Sequence, residues 1–243
     1  MLRALFVCIF LPLYSLILGP PLLLWTFVSR NPDALYWAGV KGVMFFVWLV
    51  GVRVRVTGRQ RIPKGPCLFV ANHTSSADAP AVVGAIPRRV AILLKESLFH
   101  WPIAGQAFTL AGFIPVVRGE HESAVASVEK AIASLRQGQS FLIYPEGTRS
   151  PDGRLQTFKK GAAVMAIKAG VPIVPVVCAG AHRVMRKRSL RIYPGEINVE
   201  FLSPVDAAQY TFEQRDALTH RVHDAMAGAL APDQRPIGFP GAA

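Results

Sequence analysis

Residues 1–51 constrain this chain more than any other stretch, because they offer water almost nothing polar. Ala4 to Leu18 is nearly continuous apolar sequence, broken only by Pro12 and Ser15. Gly19-Pro20-Pro21 predicts an interruption, after which Leu22 to Val28 resumes. A second run extends from Tyr36 to Val52, with Lys41 as its only charge. Each run is near the lower limit for crossing a bilayer, which takes ~20 residues. Ser29-Arg30-Asn31-Pro32-Asp33 between them reads as a short polar turn. The pattern predicts a membrane-embedded helical hairpin that anchors the chain. A signal peptide would share the charged start at Arg3, but a small-residue cleavage site would follow instead of a second apolar run. Trp25, Tyr36, Trp37 and Trp48 sit near the run ends, as interfacial anchors do. Spanning the bilayer and dipping into one leaflet are both compatible with these lengths. Either way both hairpin ends lie on one side. Arg53, Arg55, Arg59, Arg61 and Lys64 follow at once, and by the positive-inside rule they assign the rest of the chain to the cytoplasmic face of the cell membrane.

Residues 52–243 read as one α/β domain. Val52-Arg53-Val54-Arg55-Val56 alternates as a half-exposed strand does. Short apolar runs at Cys67–Ala71, Val90–Leu94, Phe113–Val117, Phe141–Tyr144 and Ile173–Val177 read as buried strands between Gly, Pro and polar residues. Ile197 to Phe201 is a late alternating strand. Helical patterns lie between them: Val125, Val128, Ile132 and Leu135 share one face, Gly161 to Ala169 forms another helix, and Thr211 to Leu230 a last amphipathic one. Alternating strands and helices predict a mixed or mostly parallel sheet flanked by helices. The Pro- and Gly-rich tail from Ala231 is expected to be loose. Cys8, Cys67 and Cys178 are odd in number with apolar neighbours, so they are expected to be reduced and buried, without a disulfide or a zinc site.

Asn72-His73-Thr74-Ser75-Ser76-Ala77-Asp78 directly follows the Cys67–Ala71 strand, and the carboxyl ends of strands are where open α/β sheets place their chemistry. Histidine is suited to general-base work, with an unperturbed pKa of about 6.5. A carboxylate on the other ring nitrogen would fix its tautomer and stabilise the imidazolium. Asp78 can be that carboxylate. Residues five apart do not share a regular helix face, so the chain must bend between them. Ser75 with Asp78 three residues on is a helix-start signature that would supply the bend. An isolated histidine beside a helix-capping aspartate is the plainer alternative. There is no G-x-S-x-G nucleophile elbow. His121-Glu122 opens like a zincin helix, but Val125 stands where the second histidine belongs. No metal and no cofactor is expected.

The block Asn72 to Asp78 resembles the N-H-x4-D block of the glycerolipid acyltransferases, the family of 1-acylglycerol-3-phosphate acyltransferases. Three further blocks occur in that family's order. Gly112 to Arg118 is similar to the second block, Tyr144-Pro145-Glu146-Gly147-Thr148-Arg149-Ser150 to the third, and Val171 to Val176 to the fourth. The resemblance covers Pro63 to Val177, and an N-terminal anchor is usual in the family. It implies direct acyl transfer without an acyl-enzyme: His73 takes the proton of an acceptor hydroxyl, which attacks the thioester of acyl-CoA or acyl carrier protein, while Asp78 orients His73. It also implies acceptor binding by the second and third blocks. Arg118 and Arg149 would grip a phosphate with their planar forks. Glu146 would fix the turn or bond the glycerol, Gly147 would let the backbone approach the substrate, and Thr148 belongs to the same turn. Lys95, after the Val90–Leu94 strand, is a further phosphate candidate. The implied acceptor is a lysophospholipid, most simply lysophosphatidic acid, with glycerol 3-phosphate or a lyso-ornithine lipid as alternatives.

A net charge of +12 points to anionic partners. His182 to Arg191 is strongly basic and fits an anionic membrane, an acidic carrier protein or the phosphates of CoA. Nucleic acid is not expected, because the charges lack the interleaved aromatics of a stacking platform.

Overall fold

The computed structural model describes residues 2–117 and 121–240. Arg118 therefore lies outside the described residues, and nothing places it in the site. Helix α1 spans Leu2–Ser29 and α2 spans Asp33–Leu49. The two lie side by side, tied by the Tyr14 hydroxyl donating to Ala38 O at 2.9 Å, with the Tyr14 ring against Gly42. The expected interruption at Gly19-Pro20-Pro21 is absent: α1 runs through Pro12, Pro20 and Pro21 as one 28-residue helix. Proline's fixed φ is compatible with a helix, and α1 continues although each interior ring removes a backbone bond and crowds the carbonyl four residues before it. Gly19 leaves room for Ile103 to pack against the helix. At 1.5 Å per residue α1 is about 42 Å long, against a hydrocarbon core of about 30 Å. By length and composition it can cross a membrane, and little of it is buried, Ala4, Gly19 and Thr26 being the residues that are. Cys8 on α1 is exposed too, correcting the expectation of three buried thiols; Cys67 and Cys178 are buried. An apolar helix with few protein neighbours leaves its cysteine facing outward.

Seven strands follow: β1 Val52–Thr57, β2 Leu68–Ala71, β3 Val90–Lys95, β4 Ile114–Val116, β5 Ser140–Ile143, β6 Ile173–Ala179 and β7 Gly195–Phe201. They form one sheet in the order β1-β7-β6-β2-β5-β3-β4. The five strands from β6 to β4 are parallel, while β7 is antiparallel to β6 and parallel to β1. The sheet is thus mixed and mostly parallel. β2 is buried at every residue, as a central parallel strand covered on both faces must be. β1 alternates valine inward and arginine outward, which suits an edge. Phe69 and Ala71 pack with Val174, Val176 and Leu142 on one face, beneath α2 and α3 (Asp78–Ala85). Leu68, Val70 and Phe141 point to the other, beneath α5 (His121–Arg136), α6 (Gly161–Ala169) and α8 (Arg215–Ala229). α6 ends on left-handed Gly170, where Val171 N–H and Gly170 N–H both donate to Ala166 O. Two short helices complete the chain, α4 (Ala104–Leu110) and α7 (Ala181–Val184).

The hairpin is not a detached anchor. Tyr36 and Val50 belong to the same core cluster as the sheet, and the Tyr36 hydroxyl accepts from Val90 N–H at 3.1 Å. The tail is also tied down, against the expectation of a loose end from Ala231. Leu155 N–H donates to Gln234 O at 2.9 Å, Arg154 to Arg235 O at 3.0 Å, and Gln234 is buried. Backbone groups of the tail find partners in a neighbouring loop, and this outweighs its composition.

Candidate active site

The site is built where β2 runs out. Beyond Ala71 the Asn72 side chain takes over from the ladder: its Nδ2 donates to Cys178 O at 2.9 Å, and Cys178 N–H donates to its Oδ1 at 2.7 Å. A side-chain amide thus completes the β2–β6 pairing, and the main chain is released to turn at His73. The turn is held by Asp78, which is 0% exposed. Its Oδ2 accepts from Thr74 N–H at 2.5 Å, from Ser75 N–H at 2.7 Å, and lies 3.0 Å from His73 Nδ1. Its Oδ1 takes the Thr74 hydroxyl at 3.3 Å and the Cys178 thiol at 3.6 Å. The bend expected between His73 and Asp78 is present, but Ser75 does not cap the helix. α3 starts at Asp78 itself, and the Ser75 hydroxyl donates to Met185 O at 2.7 Å. The aspartate folds back over the preceding backbone, so one carboxylate both closes the loop and orients the imidazole.

His73 is held from three other directions. Its N–H donates to Glu146 Oε1 at 2.6 Å, its carbonyl accepts from Ser150 N–H at 2.7 Å, and its ring lies 4.4 Å from that of Tyr144, tilted by 30°. The imidazole side chain is 17% exposed, so with Nδ1 on Asp78 the free nitrogen Nε2 is the one left for a ligand. Glu146 spends both oxygens on protein: its Oε2 accepts from Gln156 N–H at 3.2 Å and Gln156 Nε2 at 2.9 Å. Burial pushes its carboxyl up to about 7, against the donors from His73 and Gln156 that pull it down. Burial, and then the Asp78 charge, push the Tyr144 and Cys178 groups well above their ordinary ranges. The Tyr144 hydroxyl is buried without a hydrogen-bond partner among the described residues.

The turn after β5 is closed by Gly147 N–H donating to Tyr144 O at 3.1 Å, with proline second and glycine fourth, the preferred arrangement for a tight turn. Gly147 has φ +71°, and any side chain there would meet Lys159. Gly147 and Thr148 are exposed. Among the described residues the Thr148 and Arg149 N–H groups have no acceptor, whereas those of Gly147 and Ser150 do. The Arg149 guanidinium donates to the Ser76 hydroxyl, three residues from His73. Lys95 stands exposed at the end of β3. Phe69, Leu142 and Ile92 lie abreast, so Lys95 is level with Asn72 two strands away, about 10 Å at ~4.8 Å per strand. The carboxyl edge thus brings His73, Asp78 and Glu146 into contact, sets Arg149 on Ser76 beside them, and places Lys95 along the same rim. Asn72 stood in the motif without a stated role. Tyr144 likewise stood in the third block without a stated role, whereas Gln156, Lys159 and Cys178 were missed, because their partners come from distant strands or from across a loop.

A histidine–carboxylate pair thus stands at the carboxyl edge of a mostly parallel sheet, tied by Glu146 and Ser150 to the turn after β5. A family model described as Acyltransferase matches residues 53–179. The chain is similar to a 1-acyl-sn-glycerol-3-phosphate acyltransferase of Limnanthes douglasii, 31% identical over 218 residues, covering 89% of this chain and 76% of that protein. It is similar to one of Borreliella burgdorferi, 30% identical over 185 residues, covering 76% and 74%. Among solved structures it is similar to the 1-acyl-sn-glycerophosphate (LPA) acyltransferase PlsC of Thermotoga maritima. The TM-score is 0.78, with 26% identity over 93% of this chain and 90% of that one. The chain belongs to the acyltransferase family.

Proposed function

We propose that this enzyme transfers a fatty acyl group from a thioester donor, acyl-CoA or acyl carrier protein, to the free sn-2 hydroxyl of 1-acylglycerol 3-phosphate, giving phosphatidic acid. The observation that carries this reading is the His73 imidazole, with Nδ1 on Asp78 and Nε2 free, within a chain whose relatives bear that activity in their names. In the proposed step Nε2 takes the proton of the hydroxyl as its oxygen attacks the thioester carbonyl. The tetrahedral oxyanion collapses, the carbon–sulfur bond breaks, and the thiolate recovers the proton from the imidazolium. Asp78 holds the tautomer and the charge. The free N–H groups of Thr148 and Arg149 are the donors proposed for the oxyanion; losing one such donor typically costs about 2.7–4 kcal/mol. Arg149, with Arg118 and Lys95, is proposed to hold the acceptor phosphate. Glu146 is proposed to position His73 through its backbone. The α1–α2 hairpin is proposed to anchor the enzyme on the cytoplasmic face of the cell membrane, with anionic lipid beneath it.

The test is purified enzyme assayed against lysophosphatidic acid, other lysophospholipids, lyso-ornithine lipid and glycerol 3-phosphate, with each donor. The highest kcat/KM should fall on lysophosphatidic acid. His73→Ala should retain the fold and less than a few per cent of kcat, and Asp78→Asn should lose much of it. A His73→Ala enzyme with substantial turnover would remove the general base.

A further inference from the structure

The segment between α7 and β7 has two characters. Met185 and Ile192 are packed against the core, and the Met185 carbonyl takes the Ser75 hydroxyl, so the loop's two ends are fixed. Between them Ser189 N–H donates to Arg186 O at 3.1 Å, and Arg188 takes φ +63°, a left-handed conformation uncommon for a side chain of this kind. This turn throws its side chains outward. Arg186, Arg188 and Arg191 are exposed, and their guanidinium groups have no partner among the described residues. Leu190 beside them is 75% exposed and Tyr193 is 47% exposed. Guanidinium groups free of carboxylates, alternating with an open leucine and tyrosine, match an anionic interface: cations at headgroup level and apolar or amphipathic groups just beneath.

The topology says where this loop sits. β7 and β1 run opposite to β2, so their first residues lie at the sheet edge that carries His73. Val52 pairs with Gly195, and Gly195 N–H donates to Gly51 O at 3.1 Å. Pro194 therefore lies against Gly51 as the chain leaves α2, shortly after Trp48, which is 63% exposed, and the exposed Leu49. The loop continues the exposed apolar surface of the hairpin to the rim of the site.

We infer that Arg186–Tyr193 is a second bilayer contact, in which Arg186, Arg188 and Arg191 meet anionic headgroups while Leu190 and Tyr193 enter the interface, turning the His73 edge of the sheet toward the membrane. This deepens the proposed function and rests on its lipid acceptor: the acceptor then reaches His73 from the bilayer and not from solution. Lys187 is left out, since its Nζ is held on Arg149 O at 2.5 Å.

The full chain is reconstituted in vesicles of phosphatidylcholine, with or without phosphatidylglycerol. Trypsin cleavage within Arg186–Arg191 should slow at least several-fold when phosphatidylglycerol is present. Arg186→Ala/Arg188→Ala/Arg191→Ala and Leu190→Ser/Tyr193→Ser should lower turnover of long-chain lysophosphatidate in anionic vesicles about tenfold. Both variants should match the wild type on a short-chain, monomeric acceptor. Equal cleavage in both vesicle types overturns the inference. So does a rise in donor KM with both acceptors equally impaired, which would make the loop a site for the donor's phosphates. Protection without any acyl transfer by the wild type would refute the enzymatic reading and leave the bilayer contact standing.

Discussion

Glu146 spends both carboxylate oxygens on the His73 N–H and on Gln156. Its raised carboxyl pKa has a stability consequence whose sign is fixed. The folded value of about 7 exceeds the ordinary 4.5, so the folded state holds this proton more tightly than the unfolded chain. The contribution is fully present below pH 4.5 and is lost as pH rises through 7, by up to about 3 kcal/mol. Glu146→Gln cannot titrate. Relative to that variant, wild-type melting temperature should fall between pH 5 and pH 8 in the same detergent, and a constant difference would mean that Glu146 stays ionised throughout. Arg149 makes a different prediction. If it grips the acceptor phosphate, Arg149→Ala should lower kcat/KM for lysophosphatidic acid about ten- to a hundred-fold, from ~1.5–3 kcal/mol per charge-assisted contact. An acceptor without a phosphate monoester should suffer much less. Equal loss on both acceptors, together with a lower melting temperature, would make its bond to Ser76 the whole of its role. The His73–Asp78 geometry was legible because both partners lie in one short loop, where spacing alone demands a bend. The hold of Glu146 on His73 and the thiol of Cys178 on Asp78 were not, since each joins residues far apart in sequence that meet only once the strands align.

At the scale of elements, the seven strands were readable because each is a short apolar or alternating run between turn formers. Their order was not, since nothing local says that β7 lies between β1 and β6. α4 was also missed: Ala104–Leu110 is brief and has no clear apolar stripe. The junction of β2 with its loop depends on Asn72, whose amide completes the pairing with β6. Asn72→Ala would leave a buried carbonyl and a buried N–H at Cys178 without partners. At about 1–3 kcal/mol for each unsatisfied group, a loss of roughly 2–6 kcal/mol is expected. His73 should lose its placement with it, so turnover should drop alongside the melting temperature. An active, fully stable Asn72→Ala enzyme would show that the ladder ends without help.

At the scale of the whole molecule, the proposed membrane attachment divides into an apolar N-terminus and a cationic surface, which salt can tell apart. Apolar burial is not screened by salt, whereas exposed charges are, with a Debye length of about 10 Å at 0.1 M. The intact chain should stay with membranes through high salt and carbonate. A chain lacking residues 1–51 would also lose Tyr36 and Val50 from the core, so the test is made on the full chain with charged substitutions on the exposed face of α1, such as Leu13→Glu/Leu16→Glu/Ile17→Glu. That variant should become extractable by salt, and full release of the unaltered chain would show that the hairpin is not in the bilayer.

The pairing of β1 with β7 carries a consequence for how the chain is made. β1 emerges from the ribosome right behind the hairpin, yet its only neighbour in the sheet is β7, near the other end of the sequence. Pairings this distant form late, because loop closure must precede the contacts that reward it. During synthesis β1 must wait unpaired while the five parallel strands assemble. A chain cut short before Gly195 would contain all four sequence blocks and still lack the strand that fastens the hairpin's exit to the sheet. Completion of β7 is thus the step that gives β1 its partner and fastens the exit of α2 to the sheet.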